Sequence, residues 1–207
     1  MGKSSFCAEL VARLGAGTKA SGVQGKGSER ESPLGHASHL AHMKHIAVGQ
    51  RAEALARASM CTRDDERDCL VLDSAAEDQL LDELEVQAAD GGCVLDYHCN
   101  ELFPERWADL VVVLACDCSV LRGRLHARNY SRAKVEENVE CEMMEVVLDE
   151  ARSSYRPEIV WHLANDNLTM REANLGRLVD WIRLWCVADP THEVAASSQV
   201  MHEDTRQ

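Results

Sequence analysis

Apolar residues recur along this chain in two rhythms, stripes at helical spacing and short solid runs. The first stripe is Phe6, Leu10, Val11 and Leu14, which predicts a helix over 4–14 that Gly15 and Gly17 stop. From there to residue 43 the chain is rich in Gly, Ser and charge with little to bury, and 15–43 reads as a flexible insertion. "KHIAVG" (44–49) has a short strand's profile and "RAEALARAS" that of a helix, whereas "CTRDDERD" reads as a charged loop. "AAEDQLLDELEVQAADGG" predicts a strong helix, with Leu80, Leu81, Leu84 and the aliphatic part of Val86 near one side and Gly91-Gly92 as its stop.

"CVLDYH" and "DLVVVLAC" are solid apolar runs, the profile of parallel strands covered by helices on both faces. Helices over about 118–127 and 132–155 follow, separated by "ARNYSR". "EIVWHLA" reads as a last strand, and "TMREANLGRLVDWIRLW" as a last helix with Thr169 and Glu172 at capping-box spacing. Residues 187–207 read as a disordered tail. Strands alternating with helices predict an α/β fold with a doubly wound parallel sheet. Ligands of that architecture sit at the carboxyl ends of the strands.

Composition narrows the function. The 207 residues suit one domain over 1–186, and 45% hydrophobic content is enough for a core. A formal charge of −13 argues against binding to a nucleic-acid backbone, DNA included, and suits a basic protein partner. No signal peptide or 18-residue apolar run appears, so no membrane association is expected. The nine cysteines form no CxxC pair, and Cys93, Cys116 and Cys141 sit in apolar runs. They read as buried, reduced thiols of a cytosolic or nuclear protein.

The candidate chemistry begins at the second residue. Gly2-Lys3-Ser4-Ser5 has the form of the end of a phosphate-binding loop, where backbone N–H groups of 2–5 at a helix N-terminus would cradle phosphate oxygens. Lys3 would offset β/γ-phosphate charge, and the Ser4 hydroxyl would ligate Mg²⁺. Asp96, closing the run "GGCVLD", stands where a second carboxylate would hold the same ion, usually through water. Arg128 and Arg132 in "LHARNYSRAK" are candidates for the arginine that completes a phosphoryl-transfer site. "GVQGKGS" (22–28) lacks both the preceding strand and the first glycine of a phosphate loop. His36, His39, His42 and His45 fall three apart, a spacing that rotates around a helix with no Cys or carboxylate joining it. A low-complexity insertion explains it better than a metal site.

"VLDYHCNELFPERW", "VVVL" and "ARNYSRAKVEENVECEMMEVVLDEA" together resemble the adenylate kinase 6 family, also called the coilin-interacting nuclear ATPases. The match covers roughly 2–14 and 44–185. The resemblance implies a P-loop nucleoside monophosphate kinase fold that converts ATP and AMP to two ADP with Mg²⁺ and hydrolyses ATP slowly. It also implies maturation of the small ribosomal subunit in nucleus and cytoplasm, through a basic small-subunit ribosomal protein and pre-40S particles. On its pattern Gly2, Lys3, Ser4, Ser5 and Arg128 would hold ATP. Lys3, Asp96 and His98 would be catalytic, with His98 positioning the attacking water or adjusting Asp96. About 45–72 would be the monophosphate-binding region, with Arg51 or Arg57 on the acceptor phosphate, and 127–137 the lid. Gln50 stands where the family usually has Asp, and Asn129 where its lid has Gly. The first strand and the front half of the phosphate loop are missing from this sequence, which predicts weak activity for this chain. The alternative expectation is a ribosome-assembly binding factor with an incomplete nucleotide site.

Overall fold

The computed structural model describes residues 2–16, 40, 42–57, 61–64, 69–89 and 91–188. Most of the 15–43 insertion and all but the first two residues of the 187–207 tail lie outside them, as do His36 and His39. The elements in chain order are α1 (Lys3–Ala16), β1 (Lys44–Ala47), α2 (Val48–Arg57), β2 (Cys61–Asp64), β3 (Cys69–Leu72), α3 (Ser74–Ala88) and β4 (Cys93–Asp96). There follow β5 (Val111–Ala115), α4 (Cys118–His126), α5 (Arg132–Met143), α6 (Val146–Ser154), β6 (Val160–Ala164) and α7 (Leu168–Ala188).

The strands join in three pairs. β1 runs parallel to β4, with His45 opposite Val94 and Ala47 opposite Asp96. β5 runs parallel to β6, with Val113 opposite His162. The expected α/β architecture of parallel strands flanked by helices is therefore present. β4 and β5 are not paired with each other; a cavity of about 330 Å³ is lined by Val94 and Leu95 on one side and Val112 and Leu114 on the other. The third pair corrects the loop expected at "CTRDDERD": its first four residues form β2, antiparallel to β3, with Thr62 opposite Val71. A charged sequence can hold a strand once an apolar partner such as "CLVL" offers a ladder of backbone hydrogen bonds.

Two apolar clusters hold the layers. Phe6, Leu10 and Leu14 of α1 bury against Leu163 of β6 and Leu175, Leu178 and Val179 of α7. Ile46, Val48 and Leu55 bury against Leu80 and Leu84 of α3. Each fully buried leucine contributes about 1.5–3 kcal/mol. Val86, expected on that apolar side, is 75% exposed, because the helix turns it outward from the leucine stripe. Asp73 caps α3 by accepting from Ala76 N at 2.8 Å, and the chain leaves the helix through Gly91 and Gly92 at φ 70° and 64°.

The helix expected over 132–155 is two helices. Glu145, at φ 53°, breaks it, so Val135 and Val139 of α5 reach Leu125 while Leu148 and Ala151 of α6 reach Val113. The last helix is capped by Asn167, whose Oδ1 accepts from Met170 N at 2.9 Å, not by Thr169. Glu172, its expected capping-box partner, receives Arg13 instead. Cys7, Cys93, Cys99, Cys116, Cys118, Cys141 and Cys186 are free thiols, but Cys141 is exposed and Cys93 and Cys116 are only half-buried, against the expectation of burial. No described helix is long and apolar enough to cross a membrane.

Candidate active site

The first turns of α1 lie beside the carboxyl end of β4, where Lys3 and Asp96 line one cavity and Cys7 Sγ comes within 4.8 Å of the Asp96 carboxylate. Gly2 O accepts the first bond of the helix from Phe6 N, and the Ser5 hydroxyl donates to the same carbonyl at 2.8 Å. The first N–H groups of α1 have no intrahelical partner and carry the positive end of the helix dipole. Lys3, Ser4 and Ser5 are exposed there.

α7 fixes the pose of this turn. Arg171, only 6% exposed, donates to Ser5 O at 3.0 Å and to a Glu9 carboxylate oxygen, with its guanidinium 5.7 Å from the Phe6 ring centre. Arg13 grips both carboxylate oxygens of Glu172, at 2.7 and 2.9 Å.

Asp96 ends β4 and is buried at 7% exposure, on the wall of the same cavity that Lys3 lines. Cys7 lies one turn after Ser4 on the same face of α1, and its Sγ is within 4.8 Å of both Asp96 and His45. A hydroxyl and a carboxylate are the hard oxygen donors that Mg²⁺ accepts alongside water and phosphate, so the residues present fit that ion.

His98 follows Asp96 by two residues, its ring 4.2 Å from that of Tyr97. The protein packed around the imidazole, and then the charge of Lys3, lower its pKa from the ordinary 6.5, so it is a neutral acceptor at physiological pH. The loop after it is pinned by Tyr155, whose hydroxyl donates to Asn100 O at 2.8 Å and Phe103 O at 3.2 Å. Of the two candidate arginines, Arg128 reaches the cradle: a Cβ on Gly2 would lie 2.7 Å from its Nη2, a close approach that glycine permits. Arg132 is bound to Glu136 on its own helix at 2.8 Å. Arg51 donates to Gln87 at 2.9 Å, and the Arg57 side chain lies outside the described residues.

Lys3 and Asp96 thus share one cavity, the charge of Lys3 is felt at His98, and Arg128 lies against Gly2. Cys7, His45, Arg171 and Tyr155 belong to the same neighbourhood without a motif to flag them. His45 was grouped with the other histidines, yet it lies in β1 and faces Asp96. The only signal for Arg171 was a charge close to the apolar stripe of the last helix.

A helix N-terminus facing a carboxylate at the end of a parallel strand, with an arginine laid over its glycine, defines a P-loop nucleotide kinase. The AAA domain family matches residues 1–145. The adenylate kinase isoenzyme 6 homolog HBR1 of Candida albicans is 38% identical over 189 residues, which are 91% of this chain and 67% of that protein. The adenylate kinase isoenzyme 6 homolog of Dictyostelium discoideum is 46% identical over 122 residues, 59% of this chain and 68% of its own. The homolog FAP7 of Saccharomyces cerevisiae is 46% identical over 114 residues, 55% of this chain and 58% of its own. The chain belongs to the adenylate kinase isoenzyme 6 family, a family of nucleoside monophosphate kinases.

Proposed function

We propose that this protein transfers the γ-phosphoryl group of ATP to AMP, with slow hydrolysis of ATP as a side activity. The observation that carries the reading is Arg128 against Gly2 at the N-terminus of α1, next to Lys3, which lines one cavity with Asp96. Phosphoryl transfer asks for positioning and charge neutralisation more than covalent chemistry. The backbone N–H groups of 2–5 hold the phosphate oxygens and Lys3 offsets their charge. Arg128 compensates the charge on the group in flight, and the 45–72 region receives AMP. Ser4 and Asp96 would hold Mg²⁺, which when bound supplies charge neutralisation across the β- and γ-phosphates. Neutral His98 accepts a hydrogen bond from water and so orients it for hydrolysis. In a coupled ADP-formation assay, Lys3→Met and Asp96→Asn are expected to lower turnover by about 100-fold or more, the loss typical of one preorganised electrostatic group. Turnover unchanged in both variants rejects the reading.

The same protein is proposed to act in maturation of the small ribosomal subunit, in nucleus and cytoplasm, by binding a basic small-subunit ribosomal protein on pre-40S particles. Its support is the −13 charge, which attracts a basic partner, together with the family resemblance. A second reading is a binding factor with weak or no turnover. It is favoured by the unpaired β4 and β5, whose residues line a cavity of about 330 Å³ beside Lys3. Turnover and ribosomal-protein pull-down of the wild type, Lys3→Ala and Asp96→Asn separate the two. An enzyme loses turnover in the variants, whereas a binding factor shows none to lose and keeps its partner throughout.

A further inference from the structure

Behind the phosphate cradle lies a second constellation, in which Cys7 and His45, side chains without a part in the kinase reaction, meet Asp96. Cys7 of α1, His45 of β1 and Asp96 of β4 each aim one donor atom at a common point, all three atoms within 4.8 Å of one another. Three separate elements contribute, so the grouping is a product of the fold and not of one helix face. The His45 imidazole and the Asp96 carboxylate come from paired strands two register positions apart, Ile46↔Leu95 lying between His45↔Val94 and Ala47↔Asp96.

One of the three donors is unsatisfied as it stands. His45 Nε2 is buried with no hydrogen-bond partner. Its nearest opposite charge, Asp96 Oδ2, is 3.6 Å away, too long for a hydrogen bond. The Asp96 side chain is 5% exposed and the His45 side chain 18%. Leaving a buried nitrogen unpaired costs about 1–3 kcal/mol, so such an atom in a native fold calls for a partner. The separation suits a metal better than a proton: donors about 2.0–2.3 Å from a tetrahedral zinc lie roughly 3.3–3.8 Å apart.

We propose that Cys7, His45 and Asp96 form a binding site for a single Zn²⁺ ion. Thiolate sulfur, imidazole nitrogen and one carboxylate oxygen make a donor set that selects zinc over the hard ions Mg²⁺ and Ca²⁺. Three protein ligands leave the fourth tetrahedral position to water, the arrangement of open zinc sites. Burial, and then the Asp96 carboxylate, push the free Cys7 thiol up to about 12, so the thiol is neutral without metal. Binding replaces the S–H bond by an S–Zn bond and releases that proton to solvent. Zinc also draws on Asp96, the carboxylate assigned above to Mg²⁺. Zinc binding is therefore inhibitory; this consequence rests on the kinase reading, while the binding itself does not.

The test uses Co²⁺ as a spectroscopic stand-in for zinc on the full chain. One equivalent of Co²⁺ is expected to give the thiolate charge-transfer band and the intense visible bands of a tetrahedral site, both bleached by one equivalent of Zn²⁺. Cys7→Ser is expected to lose the charge-transfer band, and His45→Phe to bind Zn²⁺ at least about 100-fold more weakly, the upper range for loss of even an outer-shell partner. Cys141→Ser, at the exposed cysteine, is expected to match the wild type. No charge-transfer band in the wild type, or an undiminished band in Cys7→Ser, overturns the site. If Cys7→Ser does not fold, judged by circular dichroism, His45→Phe decides: wild-type zinc affinity in that variant overturns it. ADP formation with and without Zn²⁺ is a separate readout. Band intact with no inhibition removes the shared-Asp96 consequence and leaves the site standing.

Discussion

Asn129 sits at φ 58° in the turn after α4, in the left-handed region that a Cβ disfavours. Glycine is usual at this lid position in the family the sequence resembles, and asparagine is the residue that best tolerates the same backbone. Asn129→Ala is expected to lower stability by about 1 kcal/mol and Asn129→Gly to leave it nearly unchanged, read as shifts in the midpoint of thermal unfolding. Glu145, at φ 53°, has neither advantage, so Glu145→Gly is expected to raise that midpoint. At this scale the sequence was uneven in what it disclosed. Lys3 and Asp96 could be singled out because phosphate chemistry favours such groups at a helix start and a strand end, whereas His98 came only from the family resemblance. Cys7 and His45 were not legible, since each is an ordinary member of its own element until the fold brings α1 against β1.

The clamp between α1 and α7 is the element-scale feature that matters most to the site. Arg171 holds Ser5 O in the first turn of α1, where the cradle donors lie, and Glu9 one turn further on. Arg171→Met is expected to cost about 1–3 kcal/mol in urea denaturation, the penalty for stranding buried partners. It is also expected to raise KM for ATP, because the first turn loses its anchor. Hydrogen bonds from Arg171 and then Arg13 hold the Glu9 carboxyl below its ordinary value of 4.5. A carboxyl depressed in the folded state adds stability that is complete above its unfolded pKa and lost as pH falls through the folded one. The denaturation midpoint should therefore fall with acid below 4.5, and Glu9→Gln should flatten that fall. Helix and strand identities were largely visible in the periodicity. The break at Glu145 was not: no Gly or Pro marks it, and only the separate demands of Leu125 and Val113 on the two halves produce it.

For the whole molecule, the two parallel strand pairs are joined through α1 and α7, whose shared core includes Phe6, Leu163 and Leu178. Leu80 is fully buried in the other cluster, and Leu80→Ala is expected to cost about 2–5 kcal/mol. That is a large share of a domain's total of roughly 5–15 kcal/mol. The −13 charge acts at this scale too. Its proposed attraction for a basic ribosomal protein predicts that raising salt from physiological to about 1 M, which shortens screening from ~8 to ~3 Å, slows association of that pair. Stopped-flow association rates insensitive to salt would remove charge as the basis of the pairing.

By itself the sequence determined the alternation of strands and helices and the family, and it singled out candidates for the phosphate site. Each of these is written in local spacing: periodicity, a glycine before a lysine, a carboxylate ending an apolar run. What only the tertiary structure decided are the relations between elements far apart in the chain. It laid Arg128 against Gly2, turned Val86 out of the core and split one expected helix into two. It also brought Cys7, His45 and Asp96 to one point. Such contacts depend on how elements pack and cross, and packing is set by the shapes of all the partners at once, which no single stretch of sequence contains.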